Sequence, residues 1–258
     1  MAARLDIVAL PGIPNVGEGD DLAELLLAAL DRAGLALTAG DVLVLAQKIV
    51  SKAEGRLVRL ADVLPSPEAE QLAADTGKDP RLVQLILNES AAVVRVRKGD
   101  PGVIVVEHRL GWIHANAGID QSNVSSGDPG SWALLLPEDP DASAARLRAA
   151  LHARSGVQVG VLINDSFGRA WRVGTCGTAI GSAGITTVED LRGHPDMFGR
   201  RLEVTVVGRG DEIAAAASLV MGQSGEGTPA VLVRGLAAED ATATAAHLIR
   251  PRQEDLFR

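Results

Sequence analysis

Ala230–Arg234 reads as a final strand, and two stretches carry apolar residues without the strict alternation of a half-exposed strand: Val42–Ala46 and Val157–Ile163. Strands of that kind are buried on both faces, so other elements must cover their sheet from two sides. Segments with helical spacing lie between them, and alternation of the two types argues for an α/β or α+β fold. Of the 47% apolar residues only three are Phe, three are Trp and none is Tyr, so Leu, Val, Ile and Ala must fill the core.

Turn and cap signals place the remaining elements. Leu5–Leu10 reads as a short strand stopped by Pro11-Gly12-Ile13-Pro14. Asp20 and Asp21 cap a helix whose Leu22, Leu25, Leu26 and Leu30 recur at helical spacing up to Gly34. Ser66-Pro67 and Asp79-Pro80 each put a capping side chain before a proline at the first helical position. Ala92–Val96, Val103–Glu107, Trp112–Ala115 and Glu203–Val207 read as strands. Asp141–Arg154 and Asp211–Met221 read as helices, and the tail from Glu239 is expected to close with one more. With 258 residues the chain has room for one large domain or two modest ones; a boundary near residues 60–110 is allowed, although composition does not mark it.

Several function classes are disfavoured. A net charge of −8 argues against a nucleic-acid partner, whose affinity would come from cationic neutralisation of phosphates. Cys176 is the single cysteine, which rules out an intramolecular disulfide and fits a reducing, cytoplasmic setting. No signal-peptide pattern is present, and no stretch reaches the ~20 apolar residues of a membrane span. Neither GxxxxGK[ST] nor a GxGxxG between strand and helix occurs. His108, His114, His152, His194 and His247 show no metal-site spacing and read as surface or supporting residues.

Three polar segments stand out. Asn164-Asp165-Ser166-Phe167-Gly168-Arg169 follows a buried strand at once, where open α/β sheets place ligands. Asp165 and Ser166 are oxygen donors suited to a hard cation, and Arg169 or Arg172 suits charge on a transferring phosphoryl group. Asp165 as a helix cap is the alternative. Asn116–Asn123 packs Asp120, three carboxamides and a hydroxyl together; a cation and phosphate site and a self-bonded Asn/Asp turn both fit it. Met221-Gly222-Gln223-Ser224-Gly225-Glu226-Gly227-Thr228 has more glycine than one helix cap needs and suits a backbone nest for an anion. Lys48 and Lys52 share a face if their segment is helical. Gly174–Gly184 fits either a close-packed crossing or a substrate loop.

In their order along the chain, these segments resemble the coenzyme F-420:gamma-glutamyl ligases. The resemblance runs from Pro11–Pro14 and Glu18-Gly19-Asp20-Asp21-Leu22, through Gly40-Asp41-Val42-Leu43-Val44 and Ser51-Lys52-Ala53-Glu54-Gly55-Arg56, to Asn116-Ala117-Gly118-Ile119-Asp120 and Ser122-Asn123-Val124. It closes with Leu136-Pro137, Asp139-Pro140-Asp141, Asp211–Ala215 and Pro229–Gly235. It implies an α+β ligase domain over residues 1–258 in two lobes, without the flavin-binding domain that some relatives add, forming an intertwined homodimer.

The activity that the resemblance implies is GTP-dependent addition of L-glutamate to the carboxylate of the F-420 precursor, then gamma-linked extension. The γ-phosphoryl group would pass to the carboxylate, giving an acyl phosphate that the glutamate amine attacks. Pro11, Gly12, Ile13, Pro14, Gln47, Lys48, Lys52, Asn123 and Met221–Thr228 are implied as GTP contacts. Asp120 and Asp165 are implied for one Mn²⁺ or Mg²⁺, Ser166 and Gln223 for a second, with a monovalent cation as a further candidate. Asp165, Lys52 and Arg169 are the expected catalytic groups. Gln223 departs from the pattern, since some relatives place a glutamate there. A nucleotide-sensing module without turnover, and a different ATP- or GTP-dependent ligase or kinase, are the other readings.

Overall fold

The computed structural model describes residues 4–124 and 130–256. In chain order the main elements are β1 (Asp6–Ala9), α1 (Leu22–Arg32), β2 (Val42–Ala46), α2 (Gln47–Ala53), β3 (Leu57–Arg59), α3 (Pro67–Thr76), α4 (Pro80–Asn88), β4 (Ser90–Arg97), β5 (Val103–His108) and β6 (Ile113–Ala115). There follow β7 (Trp132–Leu134), α5 (Pro140–Ser155), β8 (Gly160–Gly168), β9 (Thr175–Ala183), β10 (Glu189–Asp190), β11 (Val206–Val207), α6 (Arg209–Met221) and β12 (Ala230–Arg234). Helices and mixed sheets make this an α+β protein, as expected. Among the described residues, no helix is long and apolar enough to cross a membrane.

The chain divides into two compact units, each assembled from separate segments. The first holds residues 1–50, 139–166 and 176–248; the second holds 51–138, 167–175 and 249–258. The breaks therefore fall outside residues 60–110.

The first unit is built on a five-stranded sheet in the order β1-β12-β2-β8-β9. β12 is antiparallel to β1 and to β2, whereas β2 and β8 run parallel with Ala46 opposite Asn164. Val42, Val44, Leu162, Val231 and Val233 on one face pack against Ile213, Ala214, Ala217 and Met221 of α6. Each Val, Leu, Ile or Met side chain among them, once fully buried, contributes about 1.5–3 kcal/mol. α1 and α5 pack together, burying Leu26 and Leu30 of the one and Leu147 and Leu151 of the other. The Asp21 side chain caps α1 by accepting from the Glu24 amide, and Asp139 caps α5 by accepting from that of Ala142.

The second unit contains a three-stranded sheet, β4-β5-β6, and the antiparallel pair β3 and β7. α3 and α4 cover the former through Ala69, Ala73, Val83 and Ile86, which meet Ile104 and Val106. Ser66 and Asp79 cap these helices with proline at the first position, as the sequence predicts.

Three expectations need correction, and one open reading is decided. The strand placed at Val157–Ile163 begins at Gly160 and continues through Asn164-Asp165-Ser166 to Gly168. The ladder is made by backbone groups, so a polar side chain does not end it. Gly174–Gly184, open to a close-packed crossing or a substrate loop, is largely β9, and it is closely packed. Gly177 and Gly181 lie so close to other backbone that an added Cβ would stand 2.5 Å from the Ala214 carbonyl oxygen and 2.4 Å from that of Pro140. The strand at Glu203–Val207 shrinks to Val206–Val207, and among its described residues the tail holds 3-10 turns at Ala245–Leu248 and Arg252–Glu254 in place of an α-helix.

Candidate functional site

In the first unit, close packing sets the site. Because position 177 carries no side chain, α6 lies directly on β9 and brings its C-terminal end over β8. There the Asn164 amide approaches the Met221 sulfur at 3.7 Å. β8 is buried from Gly160 through Asn164, whereas Asp165 and Ser166 are partly exposed. Asp165 Oδ1 accepts from the Ser166 amide at 2.8 Å, so it does not cap a helix. Asp165 and Ser166 thus sit on a strand, not in a loop.

Directly after α6, the segment Met221–Thr228 returns the chain to β12. The Ser166 hydroxyl donates to Gln223 Oε1 at 2.6 Å, and Gln223 Nε2 donates to the Ser218 hydroxyl at 2.8 Å. Ser218 thereby turns the carboxamide so that its oxygen faces Ser166. Thr228 ties the loop back to its own start by donating to the Met221 carbonyl at 2.8 Å. The nest that the glycines suggested holds an anion from the chain itself: Glu226 accepts from the Ser224 amide at 2.8 Å, and this bond holds its carboxyl below the usual range.

Two further GTP candidates belong to this unit. The Pro11–Pro14 turn follows β1, which is anchored where the Leu10 amide meets the Ala230 carbonyl at 2.9 Å. Arg32, from the last turn of α1, donates to the Gly12 carbonyl at 2.8 Å and packs against the glycine. Gln47 is buried at the start of α2 and Lys48 is partly exposed. The segment is helical, so Lys48 and Lys52 lie one turn apart on it, as the spacing required.

In the second unit, Asn116, Ala117 and Gly118 all take positive φ, an unusual run that turns the chain sharply after β6. Asn tolerates this conformation, but Ala does not do so freely, and Ala117 stays there fully buried. Asp120 then joins β7 at one residue: its amide donates to the Leu134 carbonyl at 3.0 Å and its carbonyl accepts from the Leu134 amide at 2.8 Å. Its Oδ1 accepts from the Ser122 amide and hydroxyl, both at 2.8 Å, so the self-bonded turn weighed for this segment is present. Lys52 Nζ donates to the Asn123 carbonyl at 2.8 Å. Arg169 is exposed in the turn between β8 and β9.

The donors in the first unit are a carboxylate, a hydroxyl and an amide oxygen, the hard set that Mg²⁺ and Mn²⁺ take. Among the described residues, no three His, Cys, Asp or Glu side chains converge as a metal cage. That combination suits a cation held by one or two carboxylates together with substrate phosphates.

Beyond these residues lies a buried ion cluster that sequence reasoning missed. Arg56 grips both oxygens of Glu89 at 3.1 Å, and Arg109 reaches Glu89 at the same distance. His108, read from sequence as a surface or supporting residue, is fully buried beside them, 3.6 Å from Glu89. Burial alone would raise the Glu89 carboxyl, but His108, Arg56 and Arg109 outweigh it and hold it at about 2. No local motif marks Glu89, Arg32 or Ser218, because each acts on a residue distant in sequence or on a side chain around a corner.

The family model of F420-0:Gamma-glutamyl ligase matches residues 12–235. The chain belongs to the F420-0:gamma-glutamyl ligase family. The match spans every candidate residue of this ligase-family chain except Pro11. A coenzyme F420:L-glutamate ligase of Methanothermobacter thermautotrophicus is 45% identical, over 98% of this chain and 99% of that protein. Proteins of the same name from Methanopyrus kandleri and Archaeoglobus fulgidus are 46% and 42% identical, over 98% and 99% of this chain and 98% and 97% of theirs.

Proposed function

We propose that this chain is a GTP-dependent coenzyme F420:L-glutamate ligase, which joins L-glutamate to the F420 precursor and then adds gamma-linked glutamates. The observation that carries the reading is similarity over nearly its whole length to ligases of that name. The oxygen donors at the carboxyl end of β8 add physical support, since phosphoryl transfer depends on positioned charge and needs no protein nucleophile. A carboxylate is a poor acyl donor; transfer of the γ-phosphoryl group makes an acyl phosphate, and the glutamate amine displaces phosphate from it.

On this reading Asp165, Ser166 and Gln223 in the first unit, and Asp120 in the second, are the cation-binding residues for Mn²⁺ or Mg²⁺, two in all, with a monovalent cation as a further candidate. Bound cations would offset phosphate charge. Pro11–Pro14, Gln47, Lys48 and Met221–Thr228, with Lys52 and Asn123, bind GTP. Here the carboxylate of Glu226 must leave the backbone amides before a phosphate can take its place. Lys52 and Arg169 stabilise the transferring group. A homodimer belongs to the same family reading.

The test is direct. Purified protein given GTP, Mn²⁺, L-glutamate and the F420 precursor should yield products heavier by successive glutamate units, with GDP released. Absence of both product and GDP would sink the enzyme assignment, and GDP without glutamylation would leave a different GTP-dependent enzyme. Sedimentation velocity reads the dimer.

A further inference from the structure

We propose that Arg56 and Glu89 are positioning residues that hold Asp120 and Lys52 in their working geometry. The proposal rests on the reading of Asp120 as a cation ligand. Its physical basis lies wholly in the second unit, in two routes of hydrogen bonds that start at one ion cluster.

The first route runs through the β3–β7 pair. Arg56 sits just before β3, and its carbonyl accepts from the Leu135 amide at 3.1 Å. Its side chain reaches past that bond, and Nε donates to the Leu136 carbonyl at 2.9 Å. Arg109, held by the same carboxylate, donates to the Glu138 carbonyl at 3.1 Å. The segment after β7 is thus pinned at Leu136 and Glu138 by two guanidinium groups that share Glu89. Leu134, two residues upstream of the first pin, is the residue that exchanges both backbone hydrogen bonds with Asp120. Leu134 and Leu136 are fully buried, so the strand cannot slide without unpacking them.

The second route runs through the end of α2. The Arg56 amide donates to the Ser51 carbonyl at 2.9 Å, and the Gly55 amide to that of Lys52 at 3.0 Å. This closing turn sets the direction of Lys52, whose ammonium meets the Asn123 carbonyl. Both routes end on the segment Asp120–Asn123.

The chemistry of the cluster favours positioning over simple stability. A buried ion group contributes little net stability relative to apolar residues of the same volume. A guanidinium, however, is a flat fork that holds a carboxylate and a carbonyl at fixed angles, which an ammonium cannot reproduce. Lysine at position 56 would keep the charge and lose the geometry.

The experiment titrates Mn²⁺ alone into the full chain and reads free Mn²⁺ by electron paramagnetic resonance, with circular dichroism to verify the fold. Glu89→Gln and Arg56→Lys should each raise the Mn²⁺ dissociation constant by roughly 10-fold, the loss usual when a group supporting a metal ligand is removed. Ser66→Ala, which loosens the cap of α3 in the same unit, should leave it unchanged. Asp120→Asn should raise it at least as far as either cluster variant. Wild-type affinity in both cluster variants, with affinity lost in Asp120→Asn, would overturn the positioning role and leave the ligand assignment standing. Wild-type affinity in Asp120→Asn would overturn both. An equal loss in Ser66→Ala would show that general loosening moves the constant, and the proposal would fall. If Glu89→Gln does not fold, Arg56→Lys decides, since it retains the positive charge.

Discussion

Protonating Glu89 should remove a measurable part of the stability of the second unit. Its carboxyl has an ordinary value of 4.5 and is held at about 2, because His108, Arg56 and Arg109 outweigh the burial that would raise it. A depressed folded-state value means that the stabilisation is complete above about pH 4.5 and fades as pH falls toward 2. At about 1.4 kcal/mol per unit, the gap is worth ~3 kcal/mol. Glu89→Gln keeps the shape and removes the charge, so the wild type should exceed the variant by about that amount at pH 7 and by far less at pH 2. The three tryptophans make the measurement local: Trp112, Trp132 and Trp171 all belong to the second unit, and Trp112 lies 5.4 Å from the His108 ring, centroid to centroid. Urea unfolding followed by tryptophan fluorescence at pH 7, 5, 4, 3 and 2 gives the difference directly, with effects of other carboxyls common to both proteins. A gap between wild type and variant that stays constant from pH 7 to pH 2 would refute the reasoning.

Three other perturbations follow from the packing and the site. Gly177→Ala places a Cβ 2.5 Å from the Ala214 carbonyl oxygen, so α6 must lift from β9; a loss of about 1–3 kcal/mol and a lower melting temperature are expected in differential scanning calorimetry. Asp41→Ala leaves Arg234 without the buried carboxylate that it grips through Nε and Nη2 at 2.8 and 2.7 Å, and chemical denaturation should register about 3 kcal/mol. Gln223→Glu supplies an anionic oxygen next to Ser166, so calorimetric titration should show tighter Mn²⁺ binding than in the wild type; equal or weaker binding would remove position 223 from the cation site.

Legibility in the sequence followed the range over which each signal acts. Ser66-Pro67 and Asp79-Pro80 set their helices within a few residues, and both starts are where the sequence puts them. Val42–Ala46 is readable because a strand covered on both faces must be apolar throughout. The same rule misplaced the end of β8, since Asn164 is buried by α6, an element that local sequence does not reveal. Gly174–Gly184 was ambiguous for a related reason: whether glycine serves a loop or a close approach depends on what lies opposite, here Ala214 and Pro140. Asp165 and Ser166 are legible from donor chemistry and Gln223 from the family resemblance, but only the structure joins Ser166 to Gln223 and recruits Ser218 behind it. The Glu89 cluster was invisible, because Arg56, Glu89 and Arg109 meet only after three separate elements have formed.

The strand order β1-β12-β2 has a consequence for how the protein is made. Asp6 must pair with Arg234, and Val42 with Val233, so one late strand is wedged between two early ones. During translation β1 and β2 leave the ribosome long before β12 exists, and nothing else can join them at their final spacing. Residues 51–138, by contrast, form an unbroken stretch that supplies most of the second unit. That unit can begin to pack on the nascent chain while the larger sheet waits for its wedge. A ribosome stalled just before Ala230 would therefore carry β1 and β2 with open, apolar edges, the stage at which such a chain most needs chaperone cover.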